Sequence, residues 1–333
     1  MLTYREGPGS DPFFRIYGSD GWLRSYDPPR PFPFFVNLEP TNACQLDCLF
    51  CSRQLSKRPI GYLDLGLARE LFDECARHEG AAVRFTGWGE PLMHPRILGL
   101  AGLAKERSIG LKLYTNGLLL TEAMMGAFVE MGLDDLQFSL QGLNEPQYLF
   151  NRRKGDYALL SRNIRMASIV RGSAKRPFLS LLTSVLENEL AEGDPKAFTE
   201  SWLPYVDKVA IDLTNLNFVS GSPRVAPYLA NQSKGLSRGK CVDVFLALEV
   251  KYDGRIQFCG QDADGRECHT IGVFGETGLQ EAWLSDRMGA QRDLVGRNLG
   301  HSASEVCRNC YHNTSKYELF KRKEAGLGPA GGA

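Results

Sequence analysis

The chain has 333 residues, of which 43% are hydrophobic and 23% charged, and Lys+Arg and Asp+Glu both total 39. This balance is ordinary for a globular protein and argues against a nucleic-acid partner or an anionic membrane surface bound through charge. No apolar stretch is long enough to span a bilayer, and residues 1–6 lack the apolar core of a signal peptide, so a cytosolic location is expected.

Residues 1–33 are rich in Pro, Gly and aromatics and read as an irregular arm packed on the body through Phe13, Phe14, Tyr17 and Trp22. From residue 34 the pattern alternates strand and helix. Strands are expected at 34–38, 82–86, 111–115, 135–140, 178–186 and 209–213. Helices are expected at 65–78, 95–107, 121–131, 157–170 and 195–202. Repeated strand-then-helix units imply a parallel sheet with right-handed crossovers, whose active site lies at the carboxyl ends of the strands. Residues 215–240 read as a linker. Segments 244–250 and 255–258 flank Asp253-Gly254 as a hairpin, a helix follows near 278–288, and 321–333 reads as a disordered tail.

Three of the nine cysteines, Cys44, Cys48 and Cys51, follow the first strand with the spacing Cys-x3-Cys-x2-Cys. Three thiolates leave one coordination position open, and soft sulfur ligands suit zinc or an iron–sulfur cluster. The loop resembles the cluster loop of the radical S-adenosylmethionine (SAM) superfamily, and residues 34–215 carry further motifs in the same order. Thr86-Gly87-Trp88-Gly89-Glu90-Pro91 is similar to the superfamily's Gly-Gly-Glu segment, with Trp88 in place of the first glycine. The resemblance implies that Gly87, Trp88, Gly89 and Glu90 bind the SAM ammonium. It implies that Thr115 and Asn116 line the SAM pocket, that Ser139 with Gln141 meets the carboxylate or ribose, and that Phe50 packs on adenine. Residue by residue, plainer readings stand beside these: Asn-Gly is a good turn, and a serine ending a strand is commonly structural. The implied fold is α/β, an open partial (β/α)6 barrel over 34–215. The implied cofactors are SAM and a 4Fe–4S cluster at Cys44, Cys48 and Cys51, served by a flavodoxin- or ferredoxin-type reductant.

The later cysteines Cys241, Cys259, Cys307 and Cys310 resemble those of a twitch domain, the short relative of the SPASM domain. That likeness implies a small C-terminal domain over 216–320, a hairpin plus a helix, closing a second, auxiliary 4Fe–4S cluster on four cysteines; a structural zinc is the competing reading. Chains with this arrangement include radical SAM dehydrogenases and epimerases of aminoglycoside and aminocyclitol biosynthesis. The expected substrate is therefore a carbohydrate-like small molecule, and the expected reaction is oxidation of a secondary alcohol with the auxiliary cluster as electron acceptor. Asp212, ending the sixth strand, is a candidate general base or a cap. Glu39, ending the first strand, is a weaker candidate of the same kind. Cys268 is a candidate hydrogen donor, which would make the enzyme an epimerase, or an inert loop thiol. A ribosomal-peptide maturase is a further alternative. Cys75 reads as a buried apolar residue and His94 as structural.

Overall fold

The computed structural model describes residues 4–6, 30–174, 176–214, 216, 219, 221–229, 241, 243–264, 267–297, 299 and 304–308. The strands are β1 (Tyr4–Glu6), β2 (Phe35–Leu38), β3 (Ala82–Phe85), β4 (Gly110–Thr115) and β5 (Asp135–Gln141). They continue as β6 (Phe178–Val185), β7 (Lys208–Leu213), β8 (Ala247–Val250), β9 (Arg255–Gln257) and β10 (Thr270–Val273). All belong to one 10-stranded sheet in the order β1-β7-β6-β5-β4-β3-β2-β8-β9-β10. The run from β7 to β2, and on to β8, is parallel. The fold is thus α/β, with the parallel sheet of a partial barrel at its centre.

Helices cross between the parallel strands. They run Leu65–Ala76, Ile97–Glu106, Glu122–Glu130, Tyr157–Arg171 and Pro195–Trp202, close to the expected bounds. Four of these five starts are chemically marked, the exception being Ile97–Glu106. Asp64 accepts from the amides of Gly66 and Leu67, Thr121 from Met124, Asp156 from Leu159 and Asp194 from Ala197, satisfying amides that a helix N-terminus leaves over. Short helices at Glu145–Asn151 and Glu187–Glu192 were not expected. Both are too brief to show a helical period, and each is fixed by its place after a strand end.

The outer face of the sheet carries the core. Val36, Leu38, Val83, Phe85, Leu111, Leu113, Leu136, Phe138, Leu181, Val209 and Ile211 are sealed against the helices. Alternate residues point inward. Near the amino ends these inner residues form a polar floor: Lys112 Nζ pairs with Asp135 Oδ2 at 2.8 Å, and Ser180 Oγ donates to Asp135 Oδ1 at 3.2 Å.

Three expectations change in detail. Residues 4–6 of the arm form β1 and pair antiparallel with β7, where an irregular segment was expected. The predicted strand at 244–250 is a helical turn, Asp243–Leu246, followed by β8, and β8 pairs parallel with β2. The predicted helix near 278–288 divides at Ser285 into Leu279–Leu284 and Asp286–Gly296, because the Ser285 hydroxyl accepts from Met288 and starts a new helix. The tail at 321–333 lies outside the described residues.

Asp134 ties several of these connections together. Its carboxylate meets Lys105 Nζ at 2.5 Å, Arg176 Nη1 at 2.7 Å and the Leu111 amide at 2.8 Å, joining a helix, a loop and β4. Removing one partner from such a set leaves buried charge without compensation. Asp134→Ala is expected to lower unfolding free energy by about 3 kcal/mol, read as a lower urea midpoint at unchanged slope.

Candidate functional site

The chain leaves β2 at Leu38 and enters the cysteine loop through Glu39-Pro40-Thr41-Asn42-Ala43. Polar bonds staple this entry. Thr41 Oγ1 donates to the Gly61 carbonyl at 2.6 Å and Asn42 Nδ2 to the Pro59 carbonyl at 2.8 Å, while the Gly61 amide donates back to Asn42 Oδ1 at 2.9 Å. The far side of the loop is tied to the helix Glu145–Asn151: the Leu49 amide donates to the Asn151 carbonyl at 2.9 Å.

Cys44, Cys48 and Cys51 face one another closely enough for their charges to interact, and burial pushes all three thiols up, Cys51 to about 12. Thiols so placed stay protonated until a metal displaces the proton. Cys44 Sγ also lies 3.5 Å from the Leu46 amide and 3.9 Å from Asn116 Nδ2, donors that would stabilise a thiolate. Among the described residues no group of three or more His, Cys, Asp or Glu side chains converges on a single ion. A cubane spreads its ligands over separate irons, so a three-thiol loop of this kind fits a cluster without that convergence.

Glu90 joins the other motifs to the loop. It is buried, and its carboxylate accepts from Thr115 Oγ1 at 2.6 Å, the Asn116 amide at 2.7 Å and the Leu92 amide at 3.1 Å. Its own amide donates to the Ala43 carbonyl at 2.7 Å. Burial raises the Glu90 pKa against the pull of these donors. Its carboxylate is thus held by three donors of the protein itself, beside the turn expected to meet a ligand ammonium. Asn116 in turn accepts from Gln45 Nε2 at 3.0 Å.

The glycines of this turn are required by close approach. A Cβ on Gly89 would stand 2.1 Å from the Thr41 carbonyl oxygen and 2.7 Å from that of Ala43. Gly87 has φ +124° and would drive a Cβ to 2.7 Å from Glu39 Cγ. Trp88 Nε1 donates to the Gly260 carbonyl at 3.1 Å, so this residue reaches from the turn to the loop after β9.

Gln141 is buried, and its Oε1 accepts from Arg152 Nε at 2.5 Å. Arg152 was not singled out in the sequence. Its buried guanidinium stands 5.8 Å from the centre of the Phe50 ring and acts electrostatically on both Cys48 and Glu90. A cation amid thiols and a carboxylate balances the charge they carry when ionised, but the run Arg152-Arg153-Lys154 carries no motif that reveals it. Phe50 also packs against the apolar cluster of Leu49, Leu186, Val219 and Val225.

Toward the carboxyl ends of the strands the inner side chains are half-buried: Asn37, Thr86, Tyr114, Ser139, Leu182, Ser184, Asp212 and Glu249. Their outer neighbours are sealed, so the solvent that reaches them fills a polar cavity beside the cysteine loop. Asp212 sits here, opposite Ser184 on β6. Glu39 plays another part. It is buried, paired with Arg58, and accepts from the Trp88 amide at 3.2 Å, which makes it a clamp on the loop rather than a proton acceptor.

Of the later cysteines, Cys241 and Cys259 are half-buried against the main core and Cys307 is buried. The Cys307 amide donates to Ser304 Oγ at 3.1 Å, and that oxygen lies 2.8 Å from Nε2 of buried His269, whose Nδ1 meets Asp262 Oδ2 at 2.8 Å. Cys310 lies outside the described residues. Cys268 is exposed on the turn Glu267–His269. Cys75 is buried in the core, and His94 bonds the Leu63 carbonyl at 2.9 Å. Among the described residues no helix is long and apolar enough to cross a membrane.

Residues 38–172 match the profile of the Radical SAM superfamily, whose members use a 4Fe–4S cluster and SAM. The chain is similar to a tungsten-containing aldehyde ferredoxin oxidoreductase cofactor-modifying protein of Pyrococcus furiosus, 33% identical over 34% of this chain and 32% of that one. It is similar to a dTDP-4-amino-4,6-dideoxy-D-glucose ammonia-lyase of Streptomyces venezuelae, 31% identical over 44% and 31%. It is also similar to a PqqA peptide cyclase of Gluconobacter oxydans, 30% identical over 44% and 40%. These matches span about a third of the length of the curated relatives. In fold the chain resembles BtrN in complex with AdoMet and 2-DOIA, with a TM-score of 0.54 at 18% identity over 83% of this chain and 92% of that one. It likewise resembles Streptococcus suis SuiB bound to the precursor peptide SuiA, with a TM-score of 0.57 at 15% identity over 88% and 75%.

The closeness at Gly89 yields a specific expectation. On the reading that this turn meets SAM, Gly89→Ala is expected to raise the Kd for SAM at least about 100-fold by calorimetry, because backbone rather than a flexible side chain blocks the methyl group. Gly126→Ala, on a helix where a Cβ meets nothing within 4 Å, leaves it unchanged.

Proposed function

We propose that the radical SAM domain carried by residues 38–172 makes this protein an enzyme that removes a hydrogen atom from a substrate in the polar inner cavity. The favoured outcome is oxidation of a secondary alcohol on an aminoglycoside- or aminocyclitol-like sugar. The observation that carries the reading is the union of three thiols, Cys48 buried and Cys44 and Cys51 half-buried, with Glu90 and Asn116 at the carboxyl ends of a parallel sheet, beside a cavity lined mainly by hydroxyls, amides and acids.

The residues present fit the cofactors in kind. Cys44, Cys48 and Cys51 would hold a 4Fe–4S cluster, and the backbone of Gly87, Trp88 and Gly89 would take the SAM ammonium, with Glu90 bracing that turn. The Arg152 guanidinium suits the SAM carboxylate, with Ser139 and Gln141 beside it, and Phe50 offers a face to adenine. Thr115 and Asn116 fix the wall between them. When bound, these groups would supply the means to take a hydrogen atom from an unactivated C–H bond, and a second cluster, held by Cys241, Cys259, Cys307 and Cys310, would supply an electron acceptor.

The chain's own residues then orient and discriminate. The cavity has hydrogen-bonding groups on nearly every wall, which suits a polyhydroxylated ligand better than an apolar one. The ammonia-lyase relative is named for an amino sugar, and the BtrN complex holds 2-DOIA, which supports the same substrate class. The exposed position of Cys268 counts against its serving as a hydrogen donor inside the cavity and so favours a dehydrogenase over an epimerase. Peptide modification is the second reading, favoured by the PqqA cyclase and SuiB likenesses.

Two measurements test these assignments. Anaerobically reconstituted protein is expected to hold about eight irons per chain, and the triple variant Cys44→Ala, Cys48→Ala, Cys51→Ala about four; tetrahedral zinc at the early thiols would refute the cluster assignment. Anaerobic turnover of candidate aminocyclitols in deuterated water is expected to give deoxyadenosine and a ketone. An isomer carrying solvent deuterium would establish epimerisation instead, and deoxyadenosine formed only with a peptide would establish the peptide reading.

A further inference from the structure

The inner face of β8 carries a carboxylate that no motif explains. Glu249 lies opposite Asn37 on β2 and opposite Gln257 on β9. Asn37 Nδ2 donates to Glu249 Oε1, which aims the carboxyl group. Next to it is Gly260, the residue after Cys259. A Cβ on Gly260 would stand 2.7 Å from Glu249 Cδ and 2.8 and 2.9 Å from its two oxygens. The Glu249 carboxylate thus fills the space that a side chain at position 260 would take. The Gly260 carbonyl is held by the Trp88 indole, so Glu249 stands beside the residue that joins the loop after Cys259 to the Gly87–Gly89 turn.

Solvent reaches Glu249, whereas Leu248 and Val250 on either side are sealed at 0% and 1% exposure. It therefore lines the polar cavity with Thr86, Tyr114, Ser139 and Asp212. Glu39, the other acid on this wall, is taken by Arg58, and Asp135 on the floor by Lys112.

The geometry points to Glu249 as the catalytic proton acceptor for the substrate in this cavity. The assignment rests on the reaction proposed above and names the residue that serves it. The O–H bond at the reacting carbon breaks, its proton forms a new O–H bond on the Glu249 carboxylate, and the electron pair stays on the substrate oxygen. Asn37 holds the receiving oxygen in place, and Gly260 keeps room for it.

The environment suits the task. Burial pushes the Glu249 carboxyl up to about 7, against the opposing pull of Lys251, Asn37 and Arg84, with Asp243 adding to the rise. A base poised near the working pH combines a useful ionised fraction with proton affinity. These four residues, with the neutral Gln257, face Glu249 from its own strand, from β2, β3 and β9 and from the turn before β8.

The test compares wild type with Glu249→Gln in the reconstituted full chain, using a carbon-deuterated aminocyclitol. Hydrogen abstraction does not need the base, so the variant is expected to place substrate deuterium in deoxyadenosine within about 3-fold of wild type. Ketone formation is expected to fall about 100-fold or more. In wild type the ratio of ketone to deoxyadenosine is expected to rise with pH through about 7, and in an infrared difference spectrum a carboxyl band absent from the variant is expected to titrate there. Ketone at the wild-type rate from Glu249→Gln, or a ratio flat in pH, overturns the assignment while leaving the proposed reaction standing. No deoxyadenosine from wild type overturns both. Should Glu249→Gln fail to fold, Glu249→Asp, which keeps the charge but draws it back from Asn37, is expected to give the same uncoupling in weaker form, and the wild-type pH ratio decides independently.

Discussion

The site depends on the buried carboxylate of Glu90. It accepts bonds from Thr115, Asn116 and Leu92, and its own amide bonds the Ala43 carbonyl just before the first cysteine. An isolated buried carboxylate is strongly unfavourable, whereas one met by several donors is stable and rigid. The ends of β2, β3 and β4 are therefore locked to one another through a single residue, its carboxylate on the β4 side and its amide on the β2 side. Asn116 extends the lock to Gln45 and Cys44, so that the thiols and the glycine turn hold a common frame.

Around that frame the sheet divides its two faces sharply. The outer face is an apolar seal against helices, and the inner face is largely polar, with Phe35, Ala247 and Leu182 among its apolar residues. Near the amino ends the inner polar groups satisfy each other, as Lys112, Asp135 and Ser180 do. Near the carboxyl ends they are left half-buried, and the cavity opens there. Burial raises Glu90, the thiols and Glu249 alike, because charge is costly in this enclosure unless a donor or cation meets it. Arg152 is a cation set deep within it, beside Cys48 and Glu90. The C-terminal hairpin is continuous with this arrangement. β8 pairs with β2, and Ser56 and Arg58, which follow the first cysteines, donate to the Ala263 carbonyl in the stretch after Cys259.

Much of this was legible in the residues. The strands from β2 to β7 and the helices between them fell close to their expected bounds, because apolar periodicity and capping residues such as Asp64, Thr121 and Asp156 mark them locally. The cysteine loop and the Gly87–Glu90 turn were legible because chemistry constrains spacing. The brief helices Glu145–Asn151 and Glu187–Glu192 were not, since fewer than about two turns show no period. The strand β1 was hidden because three residues in an arm carry no alternation, and pairing with β7 defines it.

The sequence by itself determined the alternation of strand and helix, the three-thiol loop and the order of the motifs along the chain, since each is written in neighbouring residues. Only the tertiary structure decided that Glu90 braces its turn, that Glu39 is held by Arg58, that Arg152 lies beside Cys48 and Glu90, and that Glu249 meets Asn37 while Cys268 lies on the surface. Those outcomes depend on which side chains from distant segments meet and which face of a strand reaches water, and one-dimensional spacing carries neither.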